Sequence, residues 1–507
     1  MKSFGRGVLS ITALLAIATF AGGVAGEPEP KSSATAAAAA SSAASAVAIA
    51  NAPSIEADNI REAVKDLAKD AAGWGATAAA MVIEVPSGAV VASNAEHEPM
   101  NPASNAKLAT AAGALRVFGP EKRFFTGLYG KVSGDKIGAL VIRGAGDPTL
   151  TSADITELAK EVKTRGIKKV EAIYVDQSAF DNEFTPPAFA QQPNEWAPFR
   201  APISAVSVDA GTLTVTVLPT ENGKPATVRI EPAGIANVVG TVKTTKNNDP
   251  EKFGLSMSVV AGVVTAKVSG HVPEGGGPVR AYKRLEDPQL AAGFVLREAL
   301  KAWGIETGDV RLGDSKEKNL LAAHRSEPLG HILAHLGKDS DNFVAEMVFK
   351  SLAIDKHQKP ASFGDAAQIV MGELRAMNAF DAGSIISNGS GLFDANRTTT
   401  HSTVQLLRAM ALDTRYAPEM FSHLAVGGVD GTLRSRFKPW SKTRAIRAKT
   451  GTLNAVFALS GYVLAPPGKP TVAFSLYINN AKGKAGQARA GIDRVVEAIA
   501  KSLWREP

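Results

Sequence analysis

A long run of strand-like segments separates two parts of this chain that have helical spacing. Between about residues 126 and 284, short stretches rich in β-branched residues recur, and residues 212–218 alternate strictly between polar and apolar side chains. Apolar residues at helical spacing precede this region at 60–72 and return at 288–303. A chain of 507 residues can form two or more domains. We therefore expect a mixed α/β (α+β) fold in which a largely β region of one or two small domains is inserted into a larger domain.

Changes in composition give the expected boundaries. Residues after the N-terminal 26 are rich in Ala and Ser and almost free of large apolar side chains, which is typical of a flexible linker. The expected segments are a signal peptide (1–26), the linker (27–54), the first part of the larger domain (55–125), the inserted region (126–284) and the second part of the larger domain (285–507).

The N-terminus predicts export. Lys2 and Arg6 precede an apolar run that begins at Val8, and small residues follow it at 22–26, which is the order found in secretory signals. An apolar run of about 14 residues is too short to span a bilayer comfortably, so we expect a cleaved signal and no membrane span after cleavage. At the other end, the apolar stripe of residues 492–503 is interrupted by acidic residues, which favours packing in the core over binding to a membrane.

Composition excludes several classes of function. The absence of cysteine rules out disulfides, thiolate metal sites and a cysteine nucleophile. The net charge of +7 is mildly basic, but no Lys/Arg block with interleaved aromatic residues occurs, so we expect a solvated surface and no nucleic-acid partner.

Three short patterns lack a residue that their usual function needs. His331 and His335 have the spacing of a zinc pair, but Ile332 occupies the position where a metalloprotease has its glutamate, so no metal site is predicted. The glycines at 144 and 146 lack the third glycine of a dinucleotide loop. Residues 389–391 lack the outer glycine of a nucleophile elbow and indicate a turn. No cofactor is expected.

The strongest candidate for chemistry is the stretch 101–112, in which Ser104 and Lys107 lie three positions apart. Asn101 offers a side-chain acceptor, Pro102 fixes φ, and an Ala-rich run follows, so a helix should begin around the serine. Residues at i and i+3 share a helix face, which puts the lysine amine beside the serine hydroxyl. Free N–H groups at the helix start can stabilise negative charge that develops during a reaction.

The Ser-x-x-Lys spacing alone is weak, because Ser133/Lys136 and Ser435/Lys438 share it. Two distant motifs give the first copy its weight. They are Ser340-Asp341-Asn342, between two helical segments, and Lys449-Thr450-Gly451-Thr452, on a predicted strand.

Together, the three motifs resemble the signature of penicillin-binding proteins and serine β-lactamases. Four further stretches, at 144–150, 199–208, 388–392 and 428–433, are similar to the penicillin-binding protein 4 family of D-Ala-D-Ala carboxypeptidase/endopeptidases, peptidase family S13. The matching stretches run from about residue 60 to 500. The resemblance implies a β-lactamase/transpeptidase-like domain, with a sheet flanked by helices, and inserted domains after the nucleophile helix.

The resemblance also implies catalytic roles. Ser104 would be the acylated nucleophile and Lys107 the base that takes its proton, which requires a pKa well below the ordinary value near 10.4. Burial and the nearby cation of Lys449 would lower it. Ser340 would relay a proton to the leaving amine, and Asn342 would orient Lys107 and the substrate amide.

Substrate-binding roles fall on the third motif. Lys449 and Thr450 would bind the terminal carboxylate of a D-Ala-D-Ala stem peptide. The main-chain N–H groups of Ser104 and Thr452 would form the oxyanion hole, and Gly451 would let the substrate backbone come close to the strand.

Two positions depart from the family pattern. Asn388 stands in the place of an Asp, and Phe393-Asp394 stands in the place of Ser-Arg. Because the family's arginine resembles a contact for an acidic group on the peptide, recognition of a diaminopimelate-type branch is open. Arg397 is the available substitute, and the third residue of the stem peptide stays undetermined.

The resulting prediction is an exported, periplasmic serine-type D-Ala-D-Ala carboxypeptidase that also cleaves cross-links as a DD-endopeptidase. Its partners would be peptidoglycan stem peptides, with β-lactams as inhibitors that trap Ser104. The alternatives are a serine β-lactamase with the same acylation machinery and a catalytically inactive wall-binding scaffold. The oligomeric state is open, as is the balance between carboxypeptidase and endopeptidase activity.

Overall fold

A computed structural model describes residues 53–260, 263–313, 316–354 and 360–504 of the chain. The predicted signal peptide (1–26) and all but the last two residues of the predicted linker (27–54) lie outside the described residues. Within the described ranges, no helix is both long enough and apolar enough to cross a membrane.

The described chain contains both α-helices and β-sheets in each of its two main regions, which confirms the predicted mixed α/β class. The α-helices are, in chain order, α1 (Asp58–Gly73), α2 (Ala106–Phe118), α3 (Ser152–Thr164), α4 (Ala291–Ala302), α5 (Leu329–Asp339), α6 (Asn342–Ser351), α7 (Phe363–Ala376), α8 (Thr400–Leu412), α9 (Ala417–His423) and α10 (Ala485–Leu503). The strands are β1 (Thr77–Glu84), β2 (Val90–Asn94), β3 (Phe125–Tyr129), β4 (Val132–Ser133), β5 (Lys136–Gly144), β6 (Lys169–Asp176), β7 (Thr212–Leu218), β8 (Thr227–Glu231), β9 (Ala236–Gly240), β10 (Lys243–Thr245), β11 (Lys252–Val260), β12 (Val263–Pro273), β13 (Val279–Arg284), β14 (Glu306–Leu312), β15 (Leu320–Arg325), β16 (Ala425–Val426), β17 (Ile446–Leu453), β18 (Val456–Val463) and β19 (Val472–Asn479).

One antiparallel sheet joins the two ends of the described chain. Its strand order is β16-β17-β18-β19-β1-β2, and β1 pairs with β19 from Thr77 opposite Asn479 to Glu84 opposite Val472. Nearly every residue of β1, β18 and β19 is buried, because helices cover both faces of the sheet. We call this sheet and its helices the main domain.

Helices α1 and α10 pack together on one face of the main sheet. The apolar stripe predicted near the C-terminus is buried there, so its expected packing in the core is confirmed; its members are Ile492, Val495, Val496, Ile499 and Leu503. Helices α2, α5, α6, α7 and α8 contribute to the other large apolar cluster of the main domain.

A second sheet lies outside the main one and has the strand order β14-β6-β5-β3-β15, with β4 paired to β5. Strands β14 and β15 follow residue 284, so this sheet does not end at the boundary expected from sequence. Strand β14 runs parallel to β6, and a parallel neighbour needs a crossover connection, to which α4 contributes. We therefore propose that the inserted region extends to about residue 325.

Strands β3 and β15 pair antiparallel, which places the first and last strands of this region side by side. Phe125 lies opposite Arg325 in that pair. Two smaller sheets complete the region, one with the order β13-β7-β8 and the other with the order β10-β12-β11 and β9 beside β12. Helices α3 and α4 add to its core, so the region is mixed and not only β.

Candidate active site

Ser104 lies in a single 3-10 turn, Ala103–Asn105, that leads directly into α2. The side chain of Asn101 accepts a hydrogen bond from the Ala103 N–H at 2.9 Å, as expected from the sequence. Ala103 has a positive φ of 46°, a conformation that non-glycine residues rarely adopt. This turn, which we call the nucleophile turn, brings the serine to the start of the helix, two residues before α2 begins.

Lys107 connects the first motif to two other parts of the chain. Its side chain is fully buried, and its Nζ lies 3.1 Å from the Ser104 Oγ. The same amine donates to Asn342 Oδ1 at 2.7 Å and to the main-chain carbonyl of Ser390 at 2.8 Å. The nucleophile candidate and the second motif therefore share one amine.

Burial lowers the pKa of Lys107 to about 7, against the pull of the nearby carboxylates of Glu346 and Asp341, which raise it. Burial is the cause that lowers this pKa, and the expected lowering by the cation of Lys449 is not found. A substantial fraction of Lys107 is thus an uncharged amine at neutral pH, which is the form that can accept a proton.

The second motif is the junction between α5 and α6. Ser340 adopts a left-handed conformation with φ of 59° at the end of α5. Asp341 caps α6, because its side chain accepts a hydrogen bond from the Val344 N–H at 3.0 Å. The cap fixes the start of α6, and Asn342 in the first position of that helix points its amide to Lys107.

The third motif lies on β17, where Lys449 is fully buried. Its Nζ donates to the Ser340 Oγ at 2.8 Å and to the carbonyl of Thr450 at 2.8 Å. Burial, followed by the neighbouring Lys107, lowers the pKa of Lys449 well below its ordinary value. Burial thus disfavours the charge that Lys449 is expected to offer to a carboxylate, and an anion bound beside it would favour the protonated form.

Thr450 and Thr452 are more accessible than their neighbours on β17. Thr450 Oγ1 donates to Thr432 Oγ1 at 2.9 Å, and Thr452 is exposed. Gly451 between them faces the nucleophile turn: a Cβ at this position would lie 2.7 Å from the Pro102 carbonyl and 3.1 Å from the Ala103 Cβ. The absence of a Cβ at Gly451 thus lets this turn pack closely against the strand.

The structure therefore brings the predicted residues together in two groups that are linked through the chain. Ser104, Lys107 and Asn342 form one hydrogen-bonded group, and Ser340 and Lys449 form another. Asn342 and Ser340 are two residues apart in the chain, which joins the groups. Gly451 packs the third motif against the nucleophile turn.

Glu346 was missed by the sequence analysis. It is fully buried, and its two carboxylate oxygens accept hydrogen bonds from the N–H groups of Gly389 at 2.9 Å and Ser390 at 2.8 Å. Burial raises its pKa. Glu346 lies four residues after Asn342, on the same helix face, so helical spacing would have pointed to it.

The turn at 389–391 packs directly against the nucleophile turn. Gly391 has φ of 73°, and a Cβ there would lie 1.9 Å from the Ala103 carbonyl oxygen. Asn388 is buried and stabilises the turn, because its Oδ1 accepts from the Gly391 N–H at 2.9 Å and its Nδ2 donates to the Pro187 carbonyl at 2.9 Å. The Asn at 388 is therefore accommodated as a turn residue.

Asp394 and Arg397 form an ion pair at 2.6 Å. Asp394 also accepts a hydrogen bond from Asn101 Nδ2 at 3.1 Å. Since the guanidinium of Arg397 is engaged with Asp394, it offers less charge to a substrate than an unpaired arginine would.

Phe199, from the inserted region, also reaches the site. Its carbonyl accepts a hydrogen bond from Asn342 Nδ2 at 3.0 Å, and 44% of the residue's surface is exposed. With Lys107 on the oxygen and Phe199 on the nitrogen, both ends of the Asn342 amide are occupied and its orientation is defined.

The sequence of this chain is similar to those of known carboxypeptidases. Residues 60–500 match the family described as the D-Ala-D-Ala carboxypeptidase 3 (S13) family. The chain is 33% identical over 478 residues to a D-alanyl-D-alanine carboxypeptidase of Actinomadura sp. (strain R39), covering 90% of this chain and 86% of that relative. It is 28% identical over 388 residues to the D-alanyl-D-alanine carboxypeptidase DacB of Haemophilus influenzae, covering 74% of this chain and 80% of that protein.

Solved structures show the same fold. The crystal structure of penicillin-binding protein 4 from Haemophilus influenzae superposes with a TM-score of 0.72 at 24% identity, covering 86% of this chain and 99% of that one. A predatory peptidoglycan endopeptidase from Bdellovibrio bacteriovorus gives a TM-score of 0.50 at 14% identity, covering 85% and 93%. The family match and the carboxypeptidase relatives agree with the three motifs, and the chain belongs to the S13 family of serine-type D-Ala-D-Ala carboxypeptidases.

Proposed function

We propose that this protein is an exported D-Ala-D-Ala carboxypeptidase that acts on peptidoglycan stem peptides through an acyl-enzyme on Ser104. One observation carries the proposal: Lys107, with a pKa of about 7, lies 3.1 Å from the Ser104 hydroxyl. A buried amine that is largely unprotonated near neutral pH can remove the serine proton as the oxygen attacks a carbonyl.

The first step forms the ester. Ser104 Oγ attacks the carbonyl carbon between the two D-Ala residues, and Lys107 takes the hydroxyl proton. The N–H groups of Ser104 and Thr452 stabilise the oxyanion, and one such donor contributes about 3 kcal/mol to lowering the barrier. The C–N bond then breaks, D-Ala leaves as the amine after receiving a proton, and the peptide stays bound to Ser104.

In this proposal Ser340 gives its hydroxyl proton to the leaving amine and receives in turn the proton that Lys107 took from Ser104. Ser340 thus keeps its hydroxyl, and Lys107 is neutral again for the second step. Because Lys449 donates a hydrogen bond to the Ser340 oxygen, the hydroxyl hydrogen of Ser340 is free to point to a substrate nitrogen. Asn342 holds Lys107 in place through its Oδ1. The carboxylate of the terminal D-Ala binds at Lys449 and Thr450, and its charge favours the protonated form of Lys449.

The second step consumes water. Lys107 removes a proton from the water molecule, the hydroxide oxygen attacks the ester, and Ser104 regains its proton as the shortened peptide leaves as a carboxylic acid. The net reaction is hydrolysis of one peptide bond. A β-lactam carries a similar amide in a strained ring, so its opening by Ser104 gives a comparable ester without a departing amine.

Cleavage of cross-links as a DD-endopeptidase uses the same steps with a larger leaving amine, and we include it in the proposal. The name of the Bdellovibrio relative supplies a precedent for endopeptidase activity on this fold. Export to the periplasm rests on the charged, apolar and small-residue order of the first 26 residues.

A serine β-lactamase is less well supported. It needs a carboxylate that activates water for fast deacylation, and the buried carboxylate of Glu346, whose charge acts on Lys107, has both oxygens engaged by main-chain N–H groups. An inactive wall-binding scaffold would not need the lowered pKa of Lys107, which costs stability because burial disfavours the charged amine.

The test is release of D-Ala from a pentapeptide and conversion of a cross-linked dimer into two monomers, with mass spectrometry of the enzyme after exposure to penicillin. Ser104→Ala should abolish both the release of D-Ala and the penicilloyl adduct. Ser133→Ala is the matched control, because Ser133 has the same spacing to a lysine but lies exposed on β4. An adduct that persists on Ser104→Ala would overturn the assignment. A penicilloyl-enzyme lifetime of milliseconds would favour the β-lactamase, and a lifetime of minutes the carboxypeptidase.

A further inference from the structure

Two histidines and an aspartate from distant parts of the chain meet beside the segment that leads to the nucleophile turn. His97 follows β2, Asp381 lies after α7, and His401 lies in the first turn of α8. One possible ligand atom from each lies within 4.8 Å of the others, and no other group of three such side chains in the described ranges meets this limit.

The distances within this cluster suit a coordination sphere. His97 Nδ1 lies 3.1 Å from Asp381 Oδ2, and His401 Nδ1 lies 2.9 Å from Asp381 Oδ1. With metal–ligand bonds of about 2.0–2.2 Å, neighbouring ligand atoms in an octahedral or tetrahedral sphere lie about 2.8–3.6 Å apart. Small side-chain movements would therefore let one ion replace the hydrogen bonds between these groups.

The carboxylate is held in place by its own neighbours. Thr399 Oγ1 donates to Asp381 Oδ2 at 2.6 Å, and the Asp381 N–H donates to Ser402 Oγ at 2.9 Å. The His401 N–H donates to the carbonyl of Glu96, next to His97, at 2.9 Å. Such outer contacts orient the ligands of a metal and increase its affinity.

We propose that His97, Asp381 and His401 bind one divalent transition-metal ion of the zinc class. Two imidazole nitrogens and a carboxylate favour Zn²⁺ over Mg²⁺ or Ca²⁺, which prefer all-oxygen sites. His97 is largely exposed, so water can complete the coordination. The sequence predicts no metal site, because the histidines with ligand-like spacing are His331 and His335, whereas 284 positions separate His97 from Asp381.

The role of this ion is structural. Met100 and Thr398 exchange two main-chain hydrogen bonds at 2.9 Å, which ties the segment between His97 and Ser104 to the segment between Asp381 and His401. Asn101 adds a third hydrogen bond between the same two segments, because its Nδ2 donates to Asp394. An ion held by His97, Asp381 and His401 would cross-link the same two segments at a second point, beside the bonds between Met100 and Thr398.

The experiment uses the mature, untagged protein after removal of metal with a chelator, and measures Zn²⁺ binding by competition with a chromophoric chelator. We expect one equivalent to bind. Because changing an outer contact alone typically weakens a metal by about 10–100-fold, His97→Ala, which removes a ligand, should weaken Zn²⁺ binding by at least about 100-fold. Zn²⁺ should raise the thermal unfolding midpoint of the wild type and leave that of His97→Ala unchanged, whereas Mg²⁺ should move neither.

His335→Ala is the matched control. The side chain of His335 is 61% exposed, against 64% for His97, and it also pairs with a carboxylate, Asp339 at 2.8 Å. It should keep wild-type affinity for Zn²⁺. Asp381→Asn, which preserves the side-chain shape, gives a second loss of binding. The proposal fails if His97→Ala binds Zn²⁺ as tightly as the wild type, or if His335→Ala loses as much affinity. Because every readout is binding or unfolding, the outcome is independent of the peptidase activity.

Discussion

The Nζ of Lys107 lies 2.7 Å from Oδ1 of Asn342, although 235 positions separate the two residues. The other end of the same amide donates to the carbonyl of Phe199 at 3.0 Å. One side chain from α6 therefore positions the candidate base and contacts the inserted region. The protonation state of Lys107 and the geometry of Asn342 are accessible to separate experiments.

The first prediction is a pH dependence. Because the reactive form of Lys107 is the neutral amine and its pKa is about 7, the rate of Ser104 acylation should rise as the pH increases through about 7 and level off above it. The measurement is the second-order rate of acylation by a penicillin between pH 5 and pH 9. A rate that is constant over this range would contradict the role of Lys107 as the base.

The second prediction concerns Glu346, whose carboxylate raises the pKa of Lys107. Glu346→Gln removes that charge, so the rise in acylation rate should move to lower pH. The amide leaves one of two buried N–H groups without an acceptor, which costs about 1–3 kcal/mol of unfolding free energy. The pH profile of acylation measures the shift, and a denaturant titration measures the loss of unfolding free energy. An unmoved profile would mean that Glu346 is already protonated in the folded protein.

The third prediction has the opposite sign. Asn342→Asp places a carboxylate next to the Lys107 amine, which favours its charged form. The rise in acylation rate should therefore move to higher pH, and the rate at pH 7 should fall. Asn342→Asp and Glu346→Gln change charge with little change in shape, so shifts of the two profiles in the same direction would contradict the electrostatic explanation.

The fourth prediction tests the packing of the nucleophile turn. Gly391→Ala forces a side chain into a left-handed conformation and against the Ala103 carbonyl, so it should cost at least about 2 kcal/mol of unfolding free energy and reduce acylation. Gly372→Ala is the control, because Gly372 lies within α7 with nothing within 4 Å of its would-be Cβ. That change should stabilise the fold by about 0.5–1 kcal/mol. Thermal or denaturant unfolding measures the stability of both variants. Equal stabilities would refute the close contact between residue 391 and the Ala103 carbonyl.

The fifth prediction concerns the proton relay. Ser340→Ala removes the hydroxyl that Lys449 contacts, while Lys449 keeps its bond to the Thr450 carbonyl. Acylation should slow by about 10²–10⁴-fold, the range typical of general acid–base groups. Single-turnover kinetics measure the loss, and circular dichroism checks the fold. Wild-type acylation by Ser340→Ala would remove the serine from the mechanism.

Short-range signals in the sequence predicted much of the fold. The alternating strand β7, the helices α1 and α4, the strand β17 and the apolar stripe of α10 follow from local alternation and helical spacing. The family resemblance supplied the order of the three motifs. The hydrogen bonds that join them depend on chain segments hundreds of residues apart, and local spacing carries no information on such contacts.

Features built by long-range packing were not predicted. Strand β14 was not assigned to the inserted region because its partner β6 lies far back in the chain, and parallel pairing leaves no turn signal. The carbonyl of Ser390 bonds Lys107 through its main chain, where any residue type offers the same oxygen. His97, Asp381 and His401 show no ligand spacing, since each comes from a different element.

The pairing of Phe125 with Arg325 has a consequence for how such a protein changes over time. The polypeptide leaves the main domain and returns to it at adjacent points. The geometry of the main domain therefore does not depend on how much chain lies between them. Duplication, loss or replacement of whole modules there would leave Ser104, Lys107, Ser340 and Lys449 where they are. The contacts that this region makes to the site would be lost, including those from the Phe199 carbonyl to Asn342 and from the Pro187 carbonyl to Asn388. These two carbonyls are therefore where a change of module would first affect the peptidase.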